Sequence, residues 1–332
     1  MKTRTLGRTG RTVSVIGLGT WQLGADWGDV SEKDARTVLE ASAAAGVTFF
    51  DTADVYGDGR SERIIGDYLA DNPGHGITVA TKMGRREQQD AANFTLAKFR
   101  EWTDRSRTNL RVDTLDLVQL HCPPTSVFSS DAVYDALDTL VAEQAIADYG
   151  VSVETADEAL TAIARPGVAT VQMILNAFRL KPLDAVLPAA LAAGVGIIAR
   201  VPLASGLLSG RYTAATTFAA DDHRTYNRDG SSFDVGETFS GVDFEQGVLA
   251  AQEFAALLAA EPAAAGLTTA QAALAWVAQL DGVSSVIPGA RNVGQAESNA
   301  AAGSAPQLSP AFTAAVTDIY DRYFRRAVHT RW

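Results

Sequence analysis

The sequence predicts an α/β protein, a single (β/α)8 barrel over residues 1–332, and three observations lead to this fold class. Short β-branched runs alternate with longer helical patterns along most of the chain, which is typical of parallel strands joined by crossover helices. Eight such strand and helix units follow one another. No change of composition separates one part of the chain from another, which favours a closed barrel over an open, doubly wound sheet.

The individual elements follow from the same patterns, and the strands are predicted at Val13–Gly17, Val47–Asp51, Thr78–Lys82, Leu115–His121, Ala147–Ser152, Val168–Met173, Val195–Arg200 and Val283–Ile287. Helices are predicted at Glu32–Ala45, Ser61–Leu69, Thr95–Leu110, Asp131–Glu143, Ala156–Ile163, Leu183–Ala193, Phe244–Leu258 and Thr269–Leu280, with a last one from about Asn292. Three segments lie outside the repeat: a hairpin in Met1–Arg11, a polar functional loop in Thr213–Val242, and an amphipathic tail in Pro310–Arg325 that covers one barrel end.

Composition argues against several classes of partner. The net charge of −11 and the pI near 4.9 disfavour nucleic acid and anionic lipid surfaces. The longest uncharged apolar stretch, Ala185–Ala199, is shorter than the roughly 20 residues that span a bilayer. No apolar signal core follows the N-terminus, and the single cysteine, Cys122, forms no redox pair. We therefore expect a cytoplasmic protein without a membrane or nucleic-acid partner.

Polar residues stand where most of the predicted strands end. In a (β/α)8 barrel these carboxyl ends carry the active site, so their side chains are expected to converge. Tyr56 follows the second strand by five residues in a glycine-containing loop. The polar residues at the ends of strands two to seven are Asp51, Lys82, His121, Ser152, Gln172 and Arg200.

Four of these residues suggest proton transfer to a carbonyl oxygen. A free tyrosine has a pKa of about 10, too high for efficient transfer near neutrality. An ammonium about 4 Å away favours the phenolate by roughly three pK units before desolvation, so Lys82 is expected to bring the pKa of Tyr56 close to neutral. Asp51 would keep Lys82 protonated, and His121 would donate to the carbonyl oxygen.

The motifs around these residues resemble those of the aldo-keto reductase superfamily. They are Asp51-Thr52-Ala53-Asp54-Val55-Tyr56-Gly57, Ala80-Thr81-Lys82 and Leu120-His121-Cys122-Pro123-Pro124, and further matches after the other strands extend the resemblance over nearly the whole chain. It implies hydride transfer between C4 of a nicotinamide and the carbonyl carbon of an aldehyde, ketone or sugar-like substrate. Tyr56 would be the proton donor, Lys82 and Asp51 would tune it, and His121 would orient the carbonyl.

The resemblance also implies a set of cofactor contacts. Arg291 would meet the 2′-phosphate of the adenosine, which favours NADP(H) over NAD(H). Arg200 would cover the nicotinamide face that an aromatic ring covers in many members. The full set is Gly19, Thr20, Trp21, Asp51, Ser152, Gln172, Arg200, Pro202, Leu203, Ser205, Gly206, Leu208, Gly210, Arg211, Gly289, Ala290, Arg291, Gln295 and Asn299, and the substrate pocket would be lined by Trp21, Trp27, Tyr56 and His121.

Three positions depart from the family pattern. Val153 follows Ser152 where an asparagine is common, Arg200 replaces the stacking aromatic, and Ser298 stands where a glutamate is common. A cation at residue 200 would disfavour an oxidised nicotinamide and favour reduction.

Other functions remain open at this point. The same fold could serve as a nicotinamide-nucleotide-binding regulatory or sensor subunit with little turnover. A lyase or isomerase with Lys82 as a Schiff base is disfavoured by the neighbouring carboxylate, because it holds the lysine protonated. The four histidines show no metal-ligand spacing, so no metal is expected.

Overall fold

The computed structural model describes residues 1–24, 30–228 and 238–332. Trp27, predicted in the substrate pocket, and residues 229–237 of the predicted functional loop lie outside the described residues. Within them, no helix combines the length and apolar character needed to cross a lipid bilayer.

Eight parallel strands form the barrel, as the sequence predicts. Their order in the sheet follows their order in the chain, and parallel bridges from Ile16 to Val286 and from Gly19 to Gly289 join the last strand to the first. The strands are β3 (Leu18–Gly19), β4 (Phe49–Asp51), β5 (Thr78–Met83), β6 (Leu115–His121), β7 (Ile146–Ser152), β8 (Val168–Ile174), β9 (Gly196–Arg200) and β10 (Val283–Val286). They are preceded by β1 (Thr3–Thr5) and β2 (Thr12–Ser14), which pair with each other.

The helices surround this sheet, and several begin at a capping side chain. Thr155 and Thr268 each form a capping box with a residue three positions further on, which satisfies backbone N–H groups that the first helical turn leaves without a partner. The helices are α1 (Glu32–Ala44), α2 (Arg60–Asp71), α3 (Leu96–Leu110), α4 (Asp131–Ala142), α5 (Ala156–Ile163), α6 (Val186–Ala193), α7 (His223–Tyr226), α8 (Phe244–Ala260), α9 (Thr269–Ala278), α10 (Val293–Ala301), α11 (Pro310–Tyr320) and α12 (Arg326–Val328).

The first barrel strand is not where the sequence predicts it. The run predicted as a strand from Val13 to Gly17 instead begins in the hairpin, because Thr12–Ser14 pairs antiparallel with Thr3–Thr5. The barrel receives only Leu18–Gly19 and the bridge at Ile16. The β-branched run therefore supplied the hairpin's second strand, and the hairpin extends beyond the predicted Met1–Arg11.

The hairpin closes the amino-terminal end of the barrel. Leu6 and Val13 are fully buried and share an interior cluster with Phe49, Leu117 and Ile198 of the barrel strands. Gly7 has a φ of +52°, and a Cβ there would lie 2.0 Å from the carbonyl oxygen of Ala169. Glycine is thus required for the hairpin to approach the start of β8 so closely.

The tail packs near the opposite, carboxyl end of the strands. The guanidinium of Arg179, a few residues after β8, lies 3.3 Å from the ring centroid of Trp332. Arg331 donates a hydrogen bond of 3.4 Å to the carbonyl oxygen of Gly241. Asn176 donates at 3.3 Å to Ser240 Oγ, so the tail and residues 238–241 are both held against the segment that follows β8.

A buried acidic pair lies beside β5. Asp54 and Glu62 are almost fully buried, and Glu62 accepts hydrogen bonds from Thr81 Oγ1 at 2.6 Å and from Asn109 Nδ2 at 2.8 Å. Burial, reinforced by the nearby Glu62, raises the pKa of Asp54 to about 7. Because the unfolded chain releases this proton near pH 4, the folded state becomes less stable as the pH rises from about 4 to 7.

Replacement of Asp54 by asparagine is expected to remove this pH-dependent penalty. We compare the unfolding free energy of Asp54→Asn with that of wild type at two pH values. The difference in favour of the variant should be about 2–3 kcal/mol larger at pH 8 than at pH 5. Urea denaturation at the two pH values measures it. Asp58→Asn is the control, because the neighbouring Arg86 holds the pKa of Asp58 below its usual range. A gain that does not grow with pH would contradict the assignment.

Candidate active site

A large cavity opens at the carboxyl ends of the barrel strands. Its volume is about 1120 Å³, and residues from the ends of β4, β6, β8 and β9 contribute Asp51, His121, Gln172 and Arg200 to its wall. Tyr56 lies in the same wall. Four of the six strand-end residues that the sequence singled out therefore face one space, as expected for this architecture.

An ion pair and a phenol lie side by side at this wall: Asp51 and Tyr56 line the cavity, and Lys82, which does not line it, contacts both side chains. Lys82 Nζ is 2.5 Å from Asp51 Oδ1 and 3.4 Å from Tyr56 Oη, and it also donates to the carbonyl oxygen of Thr52 at 2.9 Å. Asp51 and Lys82 are almost completely buried. The three side chains thus form one hydrogen-bonded chain from the interior to the cavity.

The turn that carries Tyr56 depends on a glycine. Gly57 has a φ of +56°, and a Cβ at this position would lie only 2.2 Å from the carbonyl oxygen of Gly24. The turn is anchored to the barrel by a hydrogen bond of 3.1 Å from the Asp54 amide to the carbonyl oxygen of Lys82. Close packing of the two segments fixes the phenol at the cavity wall.

The electrostatic balance at Tyr56 differs from the expectation. Burial raises the pKa of Tyr56 above its ordinary value, the Lys82 ammonium opposes this shift, and Asp51 adds to it. The prediction that Lys82 brings this pKa close to neutral is therefore wrong for this chain, because desolvation outweighs the ammonium. At Lys82, burial lowers the pKa, but Asp51 and Tyr56 raise it by more, so the ammonium stays protonated.

Two glutamines position the carboxylate. Gln119 Nε2 donates to Asp51 Oδ2 at 3.1 Å, and Gln172 Nε2 donates to the same oxygen at 2.7 Å. Gln172 was predicted as a cofactor contact, whereas Gln119 was not predicted at all. A signal was present, since Gln119 and His121 are two residues apart in β6 and must share the inward face.

Aromatic side chains surround the phenol. The rings of Tyr56 and His121 meet edge to face with centroids 6.0 Å apart, and Trp21 stacks near Tyr56 at 6.1 Å. His223, the first residue of α7, also lines the cavity, and its ring centroid lies 6.2 Å from that of Trp21. Burial lowers the pKa of His223 to about 3, so its imidazole is neutral. The sequence indicated a functional loop here but gave this histidine no role.

Ser152 lies next to Cys122 at the carboxyl ends of β6 and β7. Its hydroxyl lies 3.3 Å from Cys122 Sγ, which Arg200 Nη2 approaches at 3.9 Å. Ser152 is not among the cavity-lining residues, whereas Arg200 is. Leu208, Gly210 and Ala290, also predicted as cofactor contacts, do not line the cavity either.

Most of the other predicted cofactor residues do line it. Asn299 donates to the carbonyl oxygen of Gly289 at 3.1 Å, and Gln295 accepts from the Arg291 amide at 2.8 Å, so these side chains support the loop after β10. The predicted residues in the wall, besides those of the strand ends, are Gly19, Thr20, Trp21, Pro202, Leu203, Ser205, Gly206, Arg211, Gly289, Arg291, Gln295 and Asn299.

Comparison with known proteins places this geometry in context. A sequence model described as the aldo/keto reductase family matches residues 15–321. An uncharacterised oxidoreductase of Mycobacterium tuberculosis is 32% identical over 317 residues, which cover 92% of this chain and 89% of that protein.

Two solved structures share the fold. A glycerol dehydrogenase from Gluconobacter oxydans superposes with a TM-score of 0.79 at 28% identity, over 97% of this chain and 96% of that one. An aldo-keto reductase from Klebsiella pneumoniae in complex with NADPH superposes with a TM-score of 0.71 at 23% identity, over 96% of each chain.

Removal of the ammonium beside Tyr56 is expected to raise the pKa of the phenol further, because Lys82 is the main group that opposes the effect of burial. Ultraviolet difference titration measures the ionisation of Tyr56 apart from that of the other tyrosines when Lys82→Met is compared with the double variant Lys82→Met/Tyr56→Phe. The same comparison of wild type with Tyr56→Phe gives the reference pKa. Lys98→Met is the control, since Lys98 pairs with Glu87 and Glu101 on the surface. An unchanged or lower pKa in Lys82→Met would show that the two groups are not coupled.

Proposed function

This chain belongs to the aldo/keto reductase family of oxidoreductases, and on that premise we propose that it uses NADP(H) to reduce the carbonyl group of an aldehyde, ketone or sugar-like substrate, with Tyr56 as the proton donor. The observation that carries the proposal is the contact of 3.4 Å between Lys82 Nζ and Tyr56 Oη, with Asp51 behind the lysine. A phenol next to a buried ammonium, facing a cavity, is suited to give up its proton as the transition state forms.

The cavity suits a dinucleotide cofactor. Among its described lining residues, five are arginines and Asp51 is the one carboxylate, which fits a ligand with several phosphate charges. The backbone between Pro202 and Gly210 is strongly curved, with positive φ at Ser205 and Gly206, as in loops that approach a phosphate closely. Arg211 and Arg291 would hold the phosphates, and the choice of NADP(H) over NAD(H) rests on Arg291. The Klebsiella relative bound to NADPH is consistent with this choice.

Each group of the site has a task in the reduction. The nicotinamide would supply the hydride to the carbonyl carbon. Tyr56 donates its proton to the carbonyl oxygen, and the raised pKa of Tyr56 ensures that the phenol carries this proton at neutral pH. Lys82 stabilises the phenolate that remains, and Asp51 holds Lys82 protonated and in place. His121 would donate a hydrogen bond to the same carbonyl oxygen.

The direction of the reaction follows from residue 200. Arg200 lies in the cavity wall at the end of β9, where it would lie against the nicotinamide. Its positive charge disfavours the cationic, oxidised ring relative to the neutral, reduced one. We therefore assign the enzyme to reduction, in the cytoplasm, where the reduced cofactor is available.

Two other functions are less well supported. A nucleotide-binding sensor with little turnover would not need Asp51, Tyr56 and His121 in one cavity wall with the Lys82 ammonium in contact with Asp51 and Tyr56. A Schiff base at Lys82 requires a neutral amine, but the adjacent Asp51 raises the pKa of this lysine.

Loss of the phenolic hydroxyl is expected to separate catalysis from cofactor binding. Tyr56→Phe should lower the rate of carbonyl reduction at least about 100-fold, because the general acid is lost, while the affinity for NADPH stays nearly unchanged. Steady-state kinetics with an aldehyde panel and fluorescence titration with NADPH measure the two quantities. Tyr134→Phe, a buried tyrosine of α4, is the control. Tight NADPH binding by a wild-type protein that reduces none of the panel would favour the sensor.

The choice of cofactor can be tested at Arg291. Arg291→Gln should weaken NADPH binding about 10-fold to 100-fold, because charge-assisted hydrogen bonds to the 2′-phosphate are lost, and should leave NADH binding nearly unchanged. Arg111→Gln serves as control, since Arg111 pairs with Asp67 on the outer surface. Equal loss of affinity for both nucleotides would contradict the role of Arg291.

A further inference from the structure

The turn that carries Tyr56 has an unusual backbone. Gly57, Asp58 and Gly59 all have positive φ, at +56°, +50° and +84°. Positive φ is unfavourable for a residue with a side chain, and glycine leaves it easily because it also populates negative φ. A run of three such residues directly after Tyr56 therefore needs contacts from outside the turn to keep one conformation.

Arg105 of α3 supplies such contacts. Its Nη1 donates to the carbonyl oxygen of Asp54 at 3.2 Å. Its Nη2 donates to the carbonyl oxygen of Asp58 at 2.9 Å and to the Asp58 carboxylate at 2.8 Å. Asp54 is two residues before Tyr56, and Asp58 is two residues after it. One guanidinium thus joins both sides of the turn through a planar fork of donors, which lysine lacks.

Asp58 is the point at which several cations meet the turn. Its carboxylate is largely exposed, yet Arg86 Nε and Nη2 donate to Asp58 Oδ1 at 3.0 and 2.6 Å, besides Arg105. The hydrogen bond from Arg86 and the charge of Arg105 hold the pKa of Asp58 below its ordinary value. Arg63 Nη1 adds a hydrogen bond of 3.2 Å to the carbonyl oxygen of Asp58. Arginines from α2, from α3 and from the segment after β5 therefore converge on one residue of the turn.

The contact between Tyr56 and Lys82 tolerates little movement of this turn. Tyr56 Oη lies 3.4 Å from Lys82 Nζ, near the upper limit of a hydrogen bond. Lys82 is itself fixed by Asp51 and by the carbonyl oxygen of Thr52, so a shift of the turn changes the distance between the two groups. A displacement of about 1 Å at a catalytic group can cost about 100-fold in rate. The conformation of the turn therefore bears directly on proton transfer.

We propose that Arg105 is a positioning residue for the reduction: its guanidinium fixes the turn from Asp54 to Asp58 and thereby holds the Tyr56 phenol against Lys82. The proposal rests on the function proposed above, because it concerns the proton donor of that reaction. Tyr56 lines the cavity, whereas Arg105 is not among the described residues of its wall. Arg105 acts through the backbone of the turn, so its loss should slow proton transfer and leave NADPH binding nearly unchanged.

Single-turnover kinetics with NADPH and an aldehyde test this role. Arg105→Ala should lower the rate of NADPH oxidation about 10-fold to 100-fold and change the Kd of NADPH less than about 2-fold. Arg105→Lys should recover little of the rate, because an ammonium does not reproduce the fork that bridges the two carbonyl oxygens. Guanidinium chloride, well below denaturing concentration, should restore part of the rate of Arg105→Ala, whereas ammonium chloride at the same concentration should not.

A second arginine of the same helix provides the matched control. Arg100 also belongs to α3 and pairs with Glu143 instead of the turn. Arg100→Ala should therefore keep the wild-type rate and should not respond to guanidinium chloride. An unchanged rate in Arg105→Ala, an equal loss in Arg100→Ala, or equal rescue by the two salts would overturn the proposal.

Hydrogen exchange needs no turnover and so separates this proposal from the proposed function. The amides of Tyr56, Asp58 and Arg60 donate hydrogen bonds of 3.1, 3.1 and 3.0 Å within the turn. With NADPH present, peptides over residues 54–60 should exchange faster in Arg105→Ala than in wild type, while the central strands β6, β7 and β8 keep their protection. Guanidinium chloride should reverse the change.

The two readouts together assign each failure to one proposal. If wild type reduces no aldehyde, the proposed function fails, yet protection of the turn that depends on Arg105 would still support its hold on the turn. If aldehydes are reduced but neither the rate nor the protection depends on Arg105, only the positioning role fails. Faster exchange of the turn without a loss of rate, or equally faster exchange in the central strands, would also overturn that role.

Discussion

The ion pair of Asp51 and Lys82 is the constraint on which the rest of the site depends. Two opposite charges almost without solvent exposure are stable only when both partners are present and their remaining hydrogen-bonding capacity is used. Here Gln119 and Gln172 donate to the carboxylate, and the carbonyl oxygen of Thr52 accepts from the ammonium. The pair therefore fixes four barrel strands, β4, β5, β6 and β8, and the start of the Tyr56 turn relative to one another.

The buried position of Tyr56 changes the pKa of the phenol in two opposite directions. Contact with the Lys82 ammonium lowers this pKa, whereas the loss of the water that would stabilise a phenolate raises it by more. A protonated resting phenol is nevertheless the state that reduction requires. The lysine then acts on the product of proton transfer, the phenolate, more than on the resting enzyme, which is how preorganised charges assist catalysis.

The sequence predicted the placement of the strand-end residues better than the first strand. Asp51, Lys82 and His121 were singled out because they end consecutive strands and occur together with Tyr56, and the structure brings these side chains close to the phenol. The β-branched run at residues 12–14 satisfied the requirements of a hairpin strand and of a barrel strand equally, and only tertiary packing against the barrel interior distinguishes them. The balance of charge and burial at Tyr56, and the approach of His223 to Trp21, also depend on three-dimensional distances that a linear pattern does not contain.

The contrast between an acidic exterior and an arginine-lined cavity has a kinetic consequence. A diffusing dianion is repelled by most of the surface and attracted at one opening, where low-dielectric walls concentrate the field. The charge distribution thus favours the orientation in which the phosphates of a nucleotide enter the cavity first. Dissolved salt screens such fields beyond about 8–10 Å. Ionic strength should therefore change the association rate of the nucleotide far more than the rates of the steps that follow binding.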